Sequence, residues 1–116
     1  MCHVLIIEDE PLVAMQVRDL LEDEGATSFA FAETEEGAVA AAIAHHPVLI
    51  TSDVKLARGN GPFAIQEIHR QLGEIPVIFI TGTPEDCKPC NPPGKILGKP
   101  LIEAELVAAF HEMVST

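Results

Sequence analysis

A doubly wound α/β fold, with a five-stranded parallel sheet and helices on both faces, is what three features of this chain predict. Short apolar runs rich in β-branched residues recur along it, amphipathic segments of helical period alternate with them, and no repeat or linker interrupts the series. Short, continuous apolar runs read as strands buried on both sides, the habit of parallel sheets. Alternating strands and helices then imply right-handed crossovers that place helices on each face. At 116 residues the chain has room for one core and not for two. Hydrophobic residues make up 47% of it, so it packs as a globule, and with no Trp or Tyr and five Phe its core is aliphatic.

The first strand is Val4 to Ile7, apolar on both sides. It runs into Glu8-Asp9-Glu10-Pro11, and Pro11 suits a first helical turn, where a missing N–H costs nothing. The helix from about Leu12 to Glu24 places Val13, Val17, Leu20 and Leu21 on one face, and Gly25 stops it. Ser28 to Ala32 is a short second strand. Thr34 N-caps an Ala-rich helix from Glu35 to about Ala44, with Val39 and Ile43 inward, and His45-His46-Pro47 ends it.

Val48 to Ser52 is the central strand, and Asp53 sits at its end. After the loop Arg58-Gly59-Asn60-Gly61, Pro62 opens a third helix with an apolar stripe of Ile65, Ile68 and Leu72. Gly73 to Pro76 turns the chain into the fourth strand, Val77 to Thr81. Residues 82 to 95 carry Gly82, Pro84, Pro89, Pro92, Pro93 and Gly94, which leave no room for a normal helix. Ile96 to Gly98 is a short fifth strand that ends at Lys99-Pro100. A final helix from about Glu103 to Met113 turns Leu106, Phe110 and Met113 to one face.

In a parallel sheet every strand ends on the same edge, where open α/β sheets bind ligands. Strand one delivers Glu8 and Asp9 there, the central strand Asp53, the fourth Thr81 and the fifth Lys99. Taken singly, each has a bland reading: an acidic pair in a solvated turn, an Asp that starts a loop, an ordinary strand-end Thr, a Lys before Pro. Jointly they converge, because each directly follows an apolar strand. Three neighbouring carboxylates raise one another's pKa values unless a cation neutralises them. Mg²⁺ suits such a set, since it takes a few carboxylate oxygens and keeps positions for a phosphoryl oxygen. A carboxylate beside it is a competent nucleophile for phosphoryl transfer, giving an acyl phosphate. Lys99 as a point charge, the Thr81 hydroxyl and the backbone N–H of Gly82 are donors for the new group.

These motifs carry a family resemblance over essentially the whole chain. Val4-Leu5-Ile6-Ile7-Glu8-Asp9-Glu10, Asp53-Val54-Lys55-Leu56 with Gly61 after it, Val77-Ile78-Phe79-Ile80-Thr81-Gly82 and Gly98-Lys99-Pro100, in that order, resemble a response-regulator receiver domain of two-component signalling. The resemblance implies a flavodoxin-like sheet of strand order 2-1-3-4-5. It also implies that Asp53 is a phospho-acceptor, taking phosphate from a phosphohistidine on a histidine kinase or histidine phosphotransfer protein. Glu8, Asp9, Asp53 and the backbone carbonyl of Lys55 would hold Mg²⁺. Thr81, Lys99 and the backbone of Gly82 would contact the phosphoryl group, and the Lys99–Pro100 bond would be cis. Such a protein is a signalling phospho-acceptor and not an enzyme, promoting only its own phosphorylation and dephosphorylation and read out by protein–protein contact. With no output domain after the last helix, residues 1–116 resemble a stand-alone receiver. The resemblance leaves its target and any homodimer unassigned.

Two departures bear on the output. Ile96 stands where the family usually has an aromatic switch residue, so an aromatic rotamer flip cannot be the switching device here. Lys99 follows Thr81 by only 18 positions, through a proline-loaded segment. The fourth helix of the family is therefore expected to be short, irregular or absent, as in an alphaproteobacterial-type subgroup of single-domain receivers with Thr-Gly after strand four. Ordering of the 83–95 loop on phosphorylation is the expected alternative switch.

Composition closes other routes. The formal net charge is −11, from 18 acidic and 7 basic residues with no basic stripe, which argues against nucleic acid. No apolar run approaches the ~20 residues of a membrane span, and the start lacks a signal-peptide pattern, so the expected location is the cytoplasm. Three cysteines, Cys2, Cys87 and Cys90, are too few for a disulfide framework and suit a reducing compartment. Cys87-Lys88-Pro89-Cys90 invites a redox or zinc reading, but it lies in a Pro-rich loop and not at a helix start. Cys2-His3 could complete a zinc site only across a strand about 17 Å long. The five histidines, His3, His45, His46, His69 and His111, are read as structural or surface residues. A degenerate receiver acting purely as a binding module is the other alternative, against which the intact Asp53, Thr81 and Lys99 argue. A flavin-binding reading is poor, because it needs a phosphate-cradling loop after strand one, where Glu8-Asp9-Glu10 would repel a phosphate unless a cation intervened.

Overall fold

In a computed structural model, which describes residues 2–87 and 94–114, the chain forms a five-stranded sheet of order β2-β1-β3-β4-β5. Its elements are β1 (His3–Ile7), α1 (Pro11–Asp23), β2 (Ser28–Ala32), α2 (Glu35–Ala44), β3 (Leu49–Ser52), α3 (Gly61–Leu72), β4 (Val77–Thr81), β5 (Gly94–Gly98) and α4 (Glu103–Val114). Every neighbouring pair of strands is parallel, with Leu5 opposite Ala30 and Ile50, Ile50 opposite Val77, and Phe79 opposite Ile96. The order reverses between β1 and β3, so these two strands frame the switch point of the sheet.

Each face follows from the period of two along a strand. Leu5, Ile7, Ile50, Val77 and Phe79 point to one side and pack with Ala38, Ala42, Ala64, Ile65 and Ile68 of α2 and α3. Val4, Ile6, Leu49, Ile78 and Ile80 point to the other and pack with Ala14, Val17, Leu21, Leu106, Ala109 and Phe110 of α1 and α4. β1 and β4 are buried at every position, as strands covered on both faces must be. Burying Phe79 or Phe110, each under 2% exposed, contributes about 2 to 3 kcal/mol.

Helix starts obey local chemistry. The Thr34 hydroxyl accepts from the Gly37 amide at 3.0 Å and Asn60 Oδ1 from the Phe63 amide at 2.8 Å, which caps α2 and α3. Pro11 occupies the first turn of α1.

Several expectations need correction. Ile43 is 45% exposed, and Ala38 and Ala42 are the inward residues of α2, with Val39 only partly buried. Val48 is likewise 45% exposed and lies outside β3, which starts at Leu49. The stripe of α1 is Ala14, Val17 and Leu21, with Val13 and Leu20 only partly buried at its margin. β5 begins at Gly94, two residues before Ile96, and Ile96 is 43% exposed at the sheet's edge. Between β4 and residue 87 the chain makes one 3₁₀ turn, Pro84–Asp86. The rest of the 83–95 segment whose ordering is expected to change, residues 88–93, lies outside the described residues. Cys90 lies there too. Cys87 is buried against the α2–α3 side and is disulfide-bonded, whereas reduced thiols were the expectation, and Cys2 is free. No helix among the described residues is long and apolar enough to cross a membrane.

Candidate functional site

The polar residues gather where the strands run out. The Glu8 amide donates to the Ala32 carbonyl and the Asp53 amide to the Ile7 carbonyl, each at 2.9 Å. The ladder therefore continues one residue past β1 and β3, and it fixes the backbones that carry both carboxylates. Gly61 reinforces this, because a Cβ there would lie 1.9 Å from the Asp53 carbonyl oxygen and 2.2 Å from Ser52 Oγ. Only glycine lets the start of α3 close so tightly on the Asp53 backbone.

Asp53 is held at both oxygens. Oδ1 accepts the Val54 amide at 2.7 Å and Oδ2 accepts the Lys99 ammonium at 2.9 Å. The Lys99 ammonium also lies 3.0 Å from Glu10 Oε1 and 3.4 Å from Glu8 Oε1. Lys99 is placed by its own amide, which donates to the Thr81 carbonyl at 2.9 Å, and its bond to Pro100 is cis as expected. Thr81 is buried at the end of β4, where its hydroxyl oxygen accepts the Thr83 amide at 3.1 Å.

The electrostatics are those of crowded charge. Side chains of Glu8 and Asp53 are 3% and 9% exposed. Burial, and then the charge of Asp53, pushes the Glu8 carboxyl up to about 7, against the pull of Lys99. For Lys99, burial works to lower the pKa. Hydrogen bonds to Asp53 and Glu10, with the charges of Glu8 and Asp53, outweigh it and raise the ammonium above its ordinary range.

Oxygens of Glu8, Asp9, Glu10 and Asp53 lie within 4.8 Å of one another. A set made only of carboxylate oxygens matches a hard divalent cation such as Mg²⁺, and the Lys99 ammonium already sits against it as a positive stand-in. Lys55 is exposed in the loop after Asp53, its backbone bridged to Asn60, and the loop's base is closed by the Gly61 amide on the Val54 carbonyl at 2.8 Å. Gly82 is exposed, with open space where a Cβ would stand.

Glu10 was not among the site residues read from the sequence. Its position two residues after Glu8, still before the first helix, is the signal that could have found it. Ser52 was missed as well: its hydroxyl donates to the Asp53 carbonyl at 2.8 Å. A serine directly before the strand-end aspartate gives no such hint by itself.

Comparison with known proteins agrees with this geometry. The family model described as the response regulator receiver domain matches residues 4–110. The chain is 43% identical over 85 residues to the phyllosphere-induced regulator PhyR of Methylorubrum extorquens, covering 72% of this chain and 32% of that protein. It is 31% identical over 116 residues to the transcriptional regulatory protein PdtaR of Mycobacterium tuberculosis, covering 97% of this chain and 57% of the relative. This chain thus spans between about a third and about three fifths of these two relatives. The solution structure of the Erythrobacter litoralis PhyR receiver domain superposes with a TM-score of 0.86 at 33% identity, covering 97% of this chain and 89% of that domain. Strand order, the acidic edge and the family match converge, and the chain belongs to the response regulator receiver domain family of two-component signalling.

Proposed function

We propose that Asp53 accepts a phosphoryl group from a phosphohistidine on a histidine kinase or histidine phosphotransfer protein. The observation that carries this reading is the Asp53 carboxylate itself: buried, oriented by the Val54 amide at Oδ1 and faced by Lys99 at Oδ2. In the transfer, Oδ2 forms the new O–P bond as the donor's N–P bond breaks, and the bonding pair leaves with the imidazole nitrogen. Glu8, Asp9, Asp53 and the Lys55 carbonyl are the residues that would hold Mg²⁺, which supplies charge neutralisation on the transferring oxygens. Lys99 already faces the acceptor oxygen and would pair with the phosphoryl group there. The Thr81 hydroxyl and the Gly82 amide are further donors at the end of β4.

Residues 1–116 act in this reading as one receiver domain, a signalling phospho-acceptor whose output is a protein contact. A similar solved structure is that of the anti-anti-sigma factor PhyR of Bartonella quintana, of which this chain covers 48%. Asp53 phosphorylation here would control a protein partner in an analogous way. Among the described residues the redox alternative draws only on the disulfide at Cys87, which packs into the core.

Intact-mass spectrometry after incubation with acetyl phosphate and Mg²⁺ tests the proposal. The expected result is one phosphoryl adduct that needs Mg²⁺ and is lost in Asp53→Ala. No adduct in the wild-type chain would favour a phosphorylation-independent binding module.

A further inference from the structure

The three carboxylates that meet Lys99 are not equivalent. Asp53 and Glu8 are buried, whereas the Glu10 side chain is 61% exposed and closes the cluster toward solvent. Yet Glu10 Oε1 lies 3.0 Å from the ammonium, as near as Asp53 Oδ2 at 2.9 Å and nearer than Glu8 Oε1 at 3.4 Å. The backbone of Glu10 is anchored at both ends. Its amide donates to Glu8 Oε2 at 3.2 Å, and its carbonyl accepts the Ala14 amide of α1 at 3.0 Å. An ammonium and a divalent cation cannot share the space between Asp53 and Glu8, because like charges that close repel strongly.

We propose that Glu10 is a positioning residue, the outer carboxylate that takes over the Lys99 ammonium when Asp53 and Glu8 are committed to a divalent cation. This rests on, and deepens, the reading of Asp53 as a cation-assisted phospho-acceptor. Without the cation, three carboxylates share one ammonium. With it, Glu10 is the partner left to Lys99, so Glu10 stabilises the loaded state more than the free one. Lys99 then waits at the rim within reach of Asp53 and does not drift into solvent. No bond or proton changes hands; an ammonium changes partners.

Calorimetric titration of Mg²⁺ alone into the full chain tests this as a double-mutant cycle over Glu10→Gln and Lys99→Met. Glu10→Gln is expected to weaken Mg²⁺ binding about fivefold when Lys99 is present, the scale of an exposed ion pair. In the Lys99→Met background the same change should cost less than about twofold, since no ammonium needs a seat. Equal weakening in both backgrounds overturns the proposal, because Glu10 would then act as a ligand or as plain charge. A wild-type chain that binds no Mg²⁺ overturns the underlying site reading instead. The NMR signal of the Lys99 ammonium in Mg²⁺-loaded protein gives a readout that needs no Lys99 variant. It should shift on Glu10→Gln, and an unmoved signal contradicts the proposal.

Discussion

At the N-terminal edge of the sheet, His3 is 7% exposed, its Nδ1 lies 2.8 Å from Ser28 Oγ, and its ring stacks on His45 with centroids 3.5 Å apart. At the C-terminal edge, Glu8 and Asp53 are equally buried but lean on the ammonium of Lys99. Both edges bury polar groups at the ends of the same strands, and they solve the cost differently. At His3 one ring nitrogen bonds Ser28 Oγ and the ring face stacks on His45, while Nε2 is buried with no hydrogen-bond partner among the described residues. Two buried carboxylates need positive charge, and one lysine shared with Glu10 supplies too little. The surplus negative charge is what makes the C-terminal edge a site and the other edge a piece of architecture.

The two edges also respond to pH in opposite directions. Burial, and then the charge of Asp53, holds the Glu8 pKa above its unfolded value, so the folded state keeps a proton that the unfolded state has lost. Stability therefore falls as pH rises from about 4.5 to about 7 and stays reduced above that. Burial, and then the charge of His45, holds the His3 imidazole below its ordinary pKa. Its contribution is present above about pH 6.5 and is lost as pH falls below that.

The contrast can be broken most severely at Gly61→Ala. A Cβ aimed at the Asp53 carbonyl and Ser52 hydroxyl forces the backbone beneath the site to move. The expected loss is at least about 3 kcal/mol in urea unfolding, with weaker Mg²⁺ binding. Next comes Glu8→Gln, which removes the surplus charge. Without Mg²⁺ it should raise stability by about 2 kcal/mol at pH 8 and leave it nearly unchanged at pH 4. Thermal melts at the two pH values check this, and an equal effect at both would refute charge crowding. The smallest effect belongs to the other edge. His45→Ala removes a stacked ring and should cost about 1 kcal/mol, with Mg²⁺ affinity unchanged.

The C-terminal edge was the more legible of the two in the sequence, for a physical reason. Strand-end polar residues stand out because each lies at or just past the end of a strand that is largely apolar, so Glu8, Asp53, Thr81 and Lys99 announce themselves. Glu10 was passed over because it belongs to a solvated turn before Pro11, and only the reach of Lys99 ties it to Asp53. The inward face of α2 was misjudged at Ile43 because that helix is apolar nearly all round, and an Ala-rich pattern offers no contrast. His3 and His45 are far apart in the chain, and nothing in either neighbourhood announces that they stack. The early start of β5 was hidden by Gly94 and Lys95, which carry no strand signal.

Chemical trapping of the phosphorylated residue identifies the acceptor carboxylate itself. An acyl phosphate on aspartate is reduced by borohydride to homoserine, and peptide mass mapping locates the change. After treatment with acetyl phosphate and Mg²⁺, conversion is predicted at Asp53 and at no other carboxylate. Conversion at Glu8, Asp9 or Glu10, or adduct formation with no borohydride-sensitive position, would contradict the account.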